Sequence, residues 1–392
     1  MRLNEEPART SERHPHRRGA TPQRAKGLSA MPTITPPKSR PATRPRSRLI
    51  AAAIIGSLAA VSLAACGSSS SAGSSDSGAS GGSSSGAVAF FTDGLGNSYL
   101  QSATNAAKAL AAKDGVKMDV FSADFDSGKQ LTQIQDAVSS GKYKALVVEA
   151  IDGQSVCRAL TDAAQHLIVS IYNTPICGHV QDLYSPGTIG FFGRLESETG
   201  RLFAGYMHKA LPNGGKVAYL PGPAGSSIVQ LTTQNFLDEL KKYPGLDLVA
   251  TVPGNWDGAT GLAATQDIVQ AHPDVNGIVF GDDNTATPSM KWLIDTGKLG
   301  NIKVVSLAGA ANVVDMVKAG QVYADVAGLP VEEATRALQA AIQTMQGEKL
   351  TVPGFDPTTK VYNVLKDPMF HGGDPVITKA NAAGFTSTWS VG

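Results

Sequence analysis

From Ala87 onward, short uninterrupted apolar runs alternate with stretches whose apolar residues recur at helical spacing, and the series runs through twice. The first pass begins with a buried strand at Val88–Phe91, then a helix carrying Tyr99, Ala103, Ala106 and Leu110 on one face. A strand at Lys117–Phe121, a helix striped by Leu131, Ile134 and Val138, and a strand at Ala145–Val148 follow. A helix near 153–165 and a strand at Leu167–Ile171 complete it. The second pass predicts helices over 196–211, 226–242, 258–271, 285–296, 311–319 and 331–346. Between them fall strands at Lys216–Leu220, Leu246–Val252, Gly277–Phe280, Ile302–Leu307 and Val322–Val326. The tail reads as irregular until Pro375–Thr378. Apolar strands separated by helices imply parallel sheets covered on both faces. The fold class is therefore α/β: two Rossmann-like, doubly wound units in tandem.

The segment before Ala87 has a different character. Residues 1–48 carry 12 Lys and Arg, three acids and eight prolines. Arg40, Arg44, Arg46 and Arg48 precede a 17-residue apolar run, Leu49–Ala65, which ends in Leu63-Ala64-Ala65-Cys66. A basic region, an apolar region and small residues before a cut describe an export signal. The ending resembles the lipobox of bacterial lipoproteins, which implies a lipidated Cys66 as mature N-terminus. Residues 1–65 are read as leader and signal peptide, with Met1 or Met31 as the start, rather than as a retained span. Residues 66–86, nearly all Ser and Gly, read as a flexible tether of roughly 25 Å reach. The expected location is the cell envelope, lipid-anchored to the outer face of the cytoplasmic membrane.

Charge argues against nucleic acid as a partner. Of 34 basic and 33 acidic residues, those after position 48 number 22 and 30. The exported part is acidic, and the proline-rich leader cannot sustain the helices of a DNA-binding head. Cys157 and Cys177 can form a disulfide in an exported protein, worth roughly 3 kcal/mol by loop entropy; two buried thiols are the alternative. No metal site is expected, since neither has a spaced Cys or His partner.

In open α/β sheets ligands bind beyond the carboxyl ends of the strands. Asn97 and Tyr99 follow the first strand, Tyr172-Asn173 ends the fourth, and Trp256-Asp257 and Asp282-Asp283-Asn284 occupy matching places in the second unit. Aromatic faces with amide and carboxylate groups suit a polyhydroxylated ring. Catalytic patterns are absent: no Gly-x-Ser-x-Gly, no phosphate loop with its Lys, no His-Glu-x-x-His. Gly222–Ser227 reads as a tight strand-to-helix turn. Asp282-Asp283 reads as one ligand contact and one structural residue, because adjacent side chains rarely face one substrate. No catalytic residue and no cofactor is expected.

These residues carry a resemblance. Gly96-Asn97-Ser98-Tyr99, Gly200-Arg201, Gly214-Gly215-Lys216-Val217, His272-Pro273-Asp274, Gly281-Asp282-Asp283, Leu329-Pro330 and Thr378-Lys379 occur in the order seen in periplasmic sugar-binding proteins of the ribose-binding type. The chain from Ala87 to about Asn381 resembles these solute receptors of ABC importers, relatives of the ligand-binding cores of LacI-type repressors. The resemblance implies a type I periplasmic binding protein with three hinge crossings near 190, 328 and 352. One lobe would comprise 87–190 and 329–351, the other 191–328 and 352–392. It implies that Asn97 and Tyr99 from one lobe and Trp256 from the other enclose the ligand. Tyr172 and Asn173 stand where the family has an Asp-Arg pair, Gln230 where it has another Arg, and Asp282 where it has Asn. Ala308 replaces an expected carboxylate and Gly328 an expected polar residue, so the cleft reads as poor in hydroxyl-binding groups and without an Arg. The expected ligand is a small, neutral, sugar-like molecule. The expected protein is a monomer that hands its ligand to an ABC permease; a sensing subunit for a receptor kinase, or a binder of another ring compound, is the alternative.

Overall fold

The computed structural model describes residues 86–367, 369–370 and 374–392. The leader, Cys66 and the tether up to residue 85 lie outside the described residues.

The first lobe runs β1 (Ala87–Thr92), α1 (Ser98–Lys113), β2 (Met118–Ser122), α2 (Ser127–Ser139), β3 (Tyr143–Glu149), α3 (Cys157–Ala163), β4 (Ile168–Tyr172) and β5 (Gly190–Gly193). The second runs α4 (Glu196–Ala210), β6 (Gly215–Leu220), α5 (Ser227–Leu240), β7 (Leu246–Thr251) and α6 (Gly258–Ala271). It continues through β8 (Gly277–Phe280), α7 (Asp283–Asp295), β9 (Lys303–Ala308), α8 (Ala311–Lys318) and β10 (Ala324–Ala327). Then come α9 (Pro330–Met345), β11 (Val361–Asn363) and β12 (Val376–Thr378).

The sheets are ordered β11-β5-β4-β3-β1-β2 and β12-β10-β9-β8-β6-β7. All pairings are parallel except β12 on β10. Each sheet reverses strand order beside its first strand, at β1/β3 and at β6/β8, leaving a crevice at the carboxyl ends there.

Strand alternation distributes the core. Val88 and Phe90 pack on one side of the first sheet with Ala107, Ala337 and Leu338; Ala89 and Phe91 pack on the other with Ile134 and Leu160. Burying both faces explains why β1, β3 and β9 read as apolar runs. Helix starts are set by side-chain caps: Asn97 accepts from Leu100 N, Asp126 from Lys129 N, and Asp257 from Thr260 N. Pro330 opens α9, where its missing N–H costs nothing.

Two short strands on one side of the first sheet escape the sequence patterns. β5 extends the first sheet, so the first crossing follows Gly193 rather than position 190. β11 pairs with β5 in register Val361–Phe191, Tyr362–Phe192, Asn363–Gly193. The third crossing therefore lies between Asn363 and Val376, not near 352. With three or four residues each, neither strand shows a period to read. The helix expected over 153–165 is confined to α3, whose first residue, Cys157, is disulfide-bonded to Cys177. That bond ties α3 to the loop after β4.

Candidate functional site

Between the two crevices lies a small cavity of about 50 Å3. The first lobe lines it with Asp93, Asn97, Tyr99, Leu100, Glu149 and Asn173; the second contributes Ile228, Trp256, Gly281, Asp282, Leu307 and Ala308. Arg194, on the first crossing, completes the wall.

The lobes touch around this cavity. Ser98 N donates to Asn284 Oδ1 at 3.2 Å, Ser227 N to Ile151 O at 3.1 Å, and Gly153 N to Ser227 Oγ at 3.2 Å. The Phe125 ring of the first lobe lies 5.9 Å from that of Trp256. Phe125 and Trp256 both have positive φ, +61° and +54°, a backbone that turns each ring out of its loop. A Cβ on Gly222 would stand 2.3 Å from the Trp256 indole, so only glycine lets the ring lie there.

Five of the seven residues read from the sequence line the cavity. Asn97 caps α1 through its side-chain oxygen, and Asp282 caps α7 by accepting from Thr285 N and Asn284 N at 3.0 Å. Asn173, at φ +60°, donates to Glu333 Oε2 at 2.8 Å. The Tyr99 hydroxyl receives an N–H from Arg194 at 3.2 Å and donates to Glu333 Oε2 at 3.3 Å. Tyr172 and Gln230 are placed elsewhere. The Tyr172 ring is fully buried against Phe90, its hydroxyl 3.2 Å from Glu149 Oε2, beneath the cavity wall. Gln230 is exposed on α5, its amide donating to Ala224 O at 3.0 Å. Ile228, two residues earlier on that helix, is the residue turned inward.

The expectation of a cleft without Arg is wrong, and the reason is spatial. A Cβ on Gly328 would stand 2.8 Å from Arg194 Nη1. The polar group missing at Gly328 thus leaves room for a guanidinium from another crossing. Arg194 is 4% exposed and bonded by Nε to Glu196 Oε1 at 3.1 Å, with Glu333 Oε1 at 3.6 Å. Burial opposes its charge, but Glu196, Tyr99 and Glu333 outweigh burial and raise its pKa.

Acidic groups missed in the sequence dominate the wall. Glu149 Oε2 accepts from Thr92 Oγ1 at 2.9 Å and from Asp93 N at 3.3 Å. Burial pushes its carboxyl up to about 7, against those hydrogen bonds. Asp93 is 1% exposed, and its Oδ1 has no hydrogen-bond partner among the described residues. Burial first, and then the neighbouring Glu149, raise its pKa well above the carboxylate range. Glu333, in the first turn of α9, is pushed by burial to about 7 despite Arg194. The position of Asp93 directly after β1 and of Glu149 at the end of β3, the strands that flank the order reversal, was the available signal.

The tail adds a wall behind the site. Trp389 Nε1 donates to Ala308 O at 2.9 Å, and its ring meets Tyr99 edge-on at 5.3 Å. Ala308 itself holds φ +126°, a sparsely populated backbone for a residue with a Cβ.

A family model described as a periplasmic binding protein domain matches residues 88–349. The chain belongs to the periplasmic binding protein family. It is 26% identical over 266 residues to the ribose import binding protein of Salmonella typhimurium, covering 67% of this chain and 86% of that one. It is 23% identical over 267 residues to the D-apiose import binding protein of Paraburkholderia graminis, covering 66% and 81%. Among solved structures, an ABC transporter solute-binding protein from Mycobacterium smegmatis with bound glycerol matches at TM-score 0.63 and 24% identity, covering 78% of this chain and 99% of that one. One from Bacillus halodurans with bound myo-inositol matches at TM-score 0.65 and 18% identity, covering 78% and 100%. Members of this family are substrate-binding proteins of ABC importers, not enzymes. Among the described residues no group of three metal-ligating side chains occurs.

Proposed function

We propose that this protein is a lipid-anchored extracytoplasmic receptor that captures a sugar or sugar-like ligand between its lobes and delivers it to an ABC permease. The observation that carries the reading is the cavity itself, walled from both lobes by Tyr99 and Trp256 and furnished with Asn97, Asn173 and carboxylates. Aromatic faces take the C–H face of a sugar ring, and the amides and carboxylates take its hydroxyls. A ligand touching both lobes favours the closed arrangement over any open one, which is how binding becomes a shape the permease can read. The names of the relatives, import binding proteins for ribose and apiose, support the same class. Arg194 does not turn the site toward anions, because Glu196 and Glu333 already flank it.

The test is calorimetric and thermal-shift titration with pentoses, hexoses and polyols. At least one should bind, and Trp256→Ala should weaken it by about a hundredfold, as expected for a buried aromatic anchor. Absence of any shift with the whole set sinks the sugar reading. The anchor is tested separately: Cys66→Ser should move the protein from the membrane fraction to the soluble fraction.

A further inference from the structure

Acidic groups outnumber basic ones around the cavity. Asp93, Glu149 and Asp282 line it, and Glu196 and Glu333 stand behind it, around the single guanidinium of Arg194. No Lys, His or second Arg is on the wall. Arg194 is committed to Glu196, Glu333 and the Tyr99 hydroxyl, none of which belongs to the Asp93–Glu149 pair. The N-termini of α1 and α7 also face the cavity, but their first donors are taken by Asn97 and Asp282.

Within this excess two buried oxygens accept no hydrogen bond, Asp93 Oδ1 and Glu333 Oε1, and the Glu333 oxygen has the Arg194 guanidinium 3.6 Å away. Asp93 Oδ1 is buried without a partner, on a residue that lines the cavity at the β1/β3 crevice. Leaving a buried carboxylate oxygen unmatched is costly, and native structures keep few such groups without a reason. Glu149 beside it has donors on Oε2 from Thr92, Asp93 N and Tyr172. The pair presents acceptors to the cavity; Gln130 favours the charged form of Asp93, and the Arg194 charge acts on Glu149 without a hydrogen bond to it.

We infer that the ligand is a sugar-like molecule bearing a positively charged amino group, seated against the Asp93–Glu149 pair. An ammonium offers three donors and no acceptor, which a carboxylate pair matches better than a hydroxyl does. Its hydrogen bonds to carboxylate are charge-assisted, about twice as strong as neutral ones. The rest of the cavity keeps its sugar character: Tyr99 and Trp256 for the ring, Asn97 and Asn173 for hydroxyls. This inference rests on the sugar-receptor reading and narrows it.

The experiment is isothermal titration of the full chain in detergent at pH 7. The probes are pentoses and hexoses, their 2-amino-2-deoxy counterparts, and the N-acetyl forms, which keep the nitrogen but lose the charge. At least one amino form should bind about tenfold or more tightly than both its hydroxyl parent and its N-acetyl form. Asp93→Asn, checked for folding by its melting curve, should bring that ratio to about threefold or less, and Glu149→Gln should do the same. A hydroxyl parent that binds as tightly as its amine overturns the inference and leaves the sugar receptor standing; it would mean that the carboxyl pair shares a proton and donates it to a neutral ligand. Failure of both classes to bind overturns both readings.

Discussion

Each lobe buries a pair of neighbouring carboxyl groups, Asp93 with Glu149 and Asp283 with Asp325, and the two pairs are held differently. In the second lobe, Asp283 accepts from Ser306 Oγ at 2.5 Å and Ala310 N at 2.8 Å, while Asp325 accepts from Gly309 N at 3.1 Å. These bonds stitch the loop after β9 to β10 and α7. Asp93 Oδ1 in the first lobe and Asp325 Oδ1 in the second both lack a hydrogen-bond partner among the described residues, but Asp93 lines the cavity and Asp325 does not. Both pairs are raised by burial, Asp325 to about 8 and Glu149 to about 7. Burial and pKa alone therefore do not separate a structural pair from a candidate ligand contact. What separates them is where the remaining lone pairs point.

The comparison can be broken most directly at Asp283. Asp283→Ala strands Ser306 and the Ala310 amide in the core and should destabilise the protein by about 4 kcal/mol in urea unfolding. Ligand affinity of the folded fraction should stay within about threefold. A mild loss of stability would mean that the second pair is not structural.

The next effect is on pH. Carboxyl groups raised above their unfolded values bind more protons in the folded state, so stability falls as pH rises. For Glu149, Glu333 and Asp325 the window runs from the unfolded value near 4.5 or below up to about 7 to 8. Each of these three groups should weaken the ligand-free protein by on the order of 3 kcal/mol between pH 5 and 8. Asp325→Asn should remove the upper part of that slope, and saturating ligand should flatten the part due to Glu149. A slope of opposite sign would contradict the burial argument.

A third contrast is covalent. The Cys157–Cys177 disulfide closes a loop in the first lobe, and among the described residues the second lobe has none. Replacing both cysteines by Ser should cost roughly 2–3 kcal/mol by loop entropy, with affinity little changed because neither residue lines the cavity. Denaturant titration with and without reductant checks it.

The smallest effect is expected at Asp93 itself. Asp93→Ala removes an unmatched buried carboxyl and should leave stability unchanged or raise it by about 1 kcal/mol, while ligand binding falls about thirtyfold, ~2 kcal/mol. Loss of stability comparable to Asp283→Ala would make the two pairs alike.

Much of this was legible in the sequence. The apolar runs marked most strands because two-faced burial leaves no polar alternation, and Asn97, Tyr99, Asn173, Trp256 and Asp282 were found because strand ends locate a crevice. Asp282 and Asp283 were read as one ligand contact and one structural residue; Asp283 is bonded within the core to Ser306 and Ala310 N, while Asp282 caps α7 and lines the cavity. Tyr172 and Gln230 were misplaced because position after a strand or on a helix does not fix which way a side chain turns. Arg194 was missed because it sits on a crossing, where no period exists, and Glu333 because an acid in the first turn of a helix reads as an ordinary helix-end charge.

The sequence by itself determined the two α/β units and the crevice-forming strand ends, since periodicity and composition are local properties. Tertiary structure alone decided what fills the cleft. Gly328 looked like a missing contact until Arg194, 134 positions away in the chain, was found in the space it leaves. Charge balance in a cavity is set by which side chains converge there and how far burial strips them of water, and neither is written in any one segment.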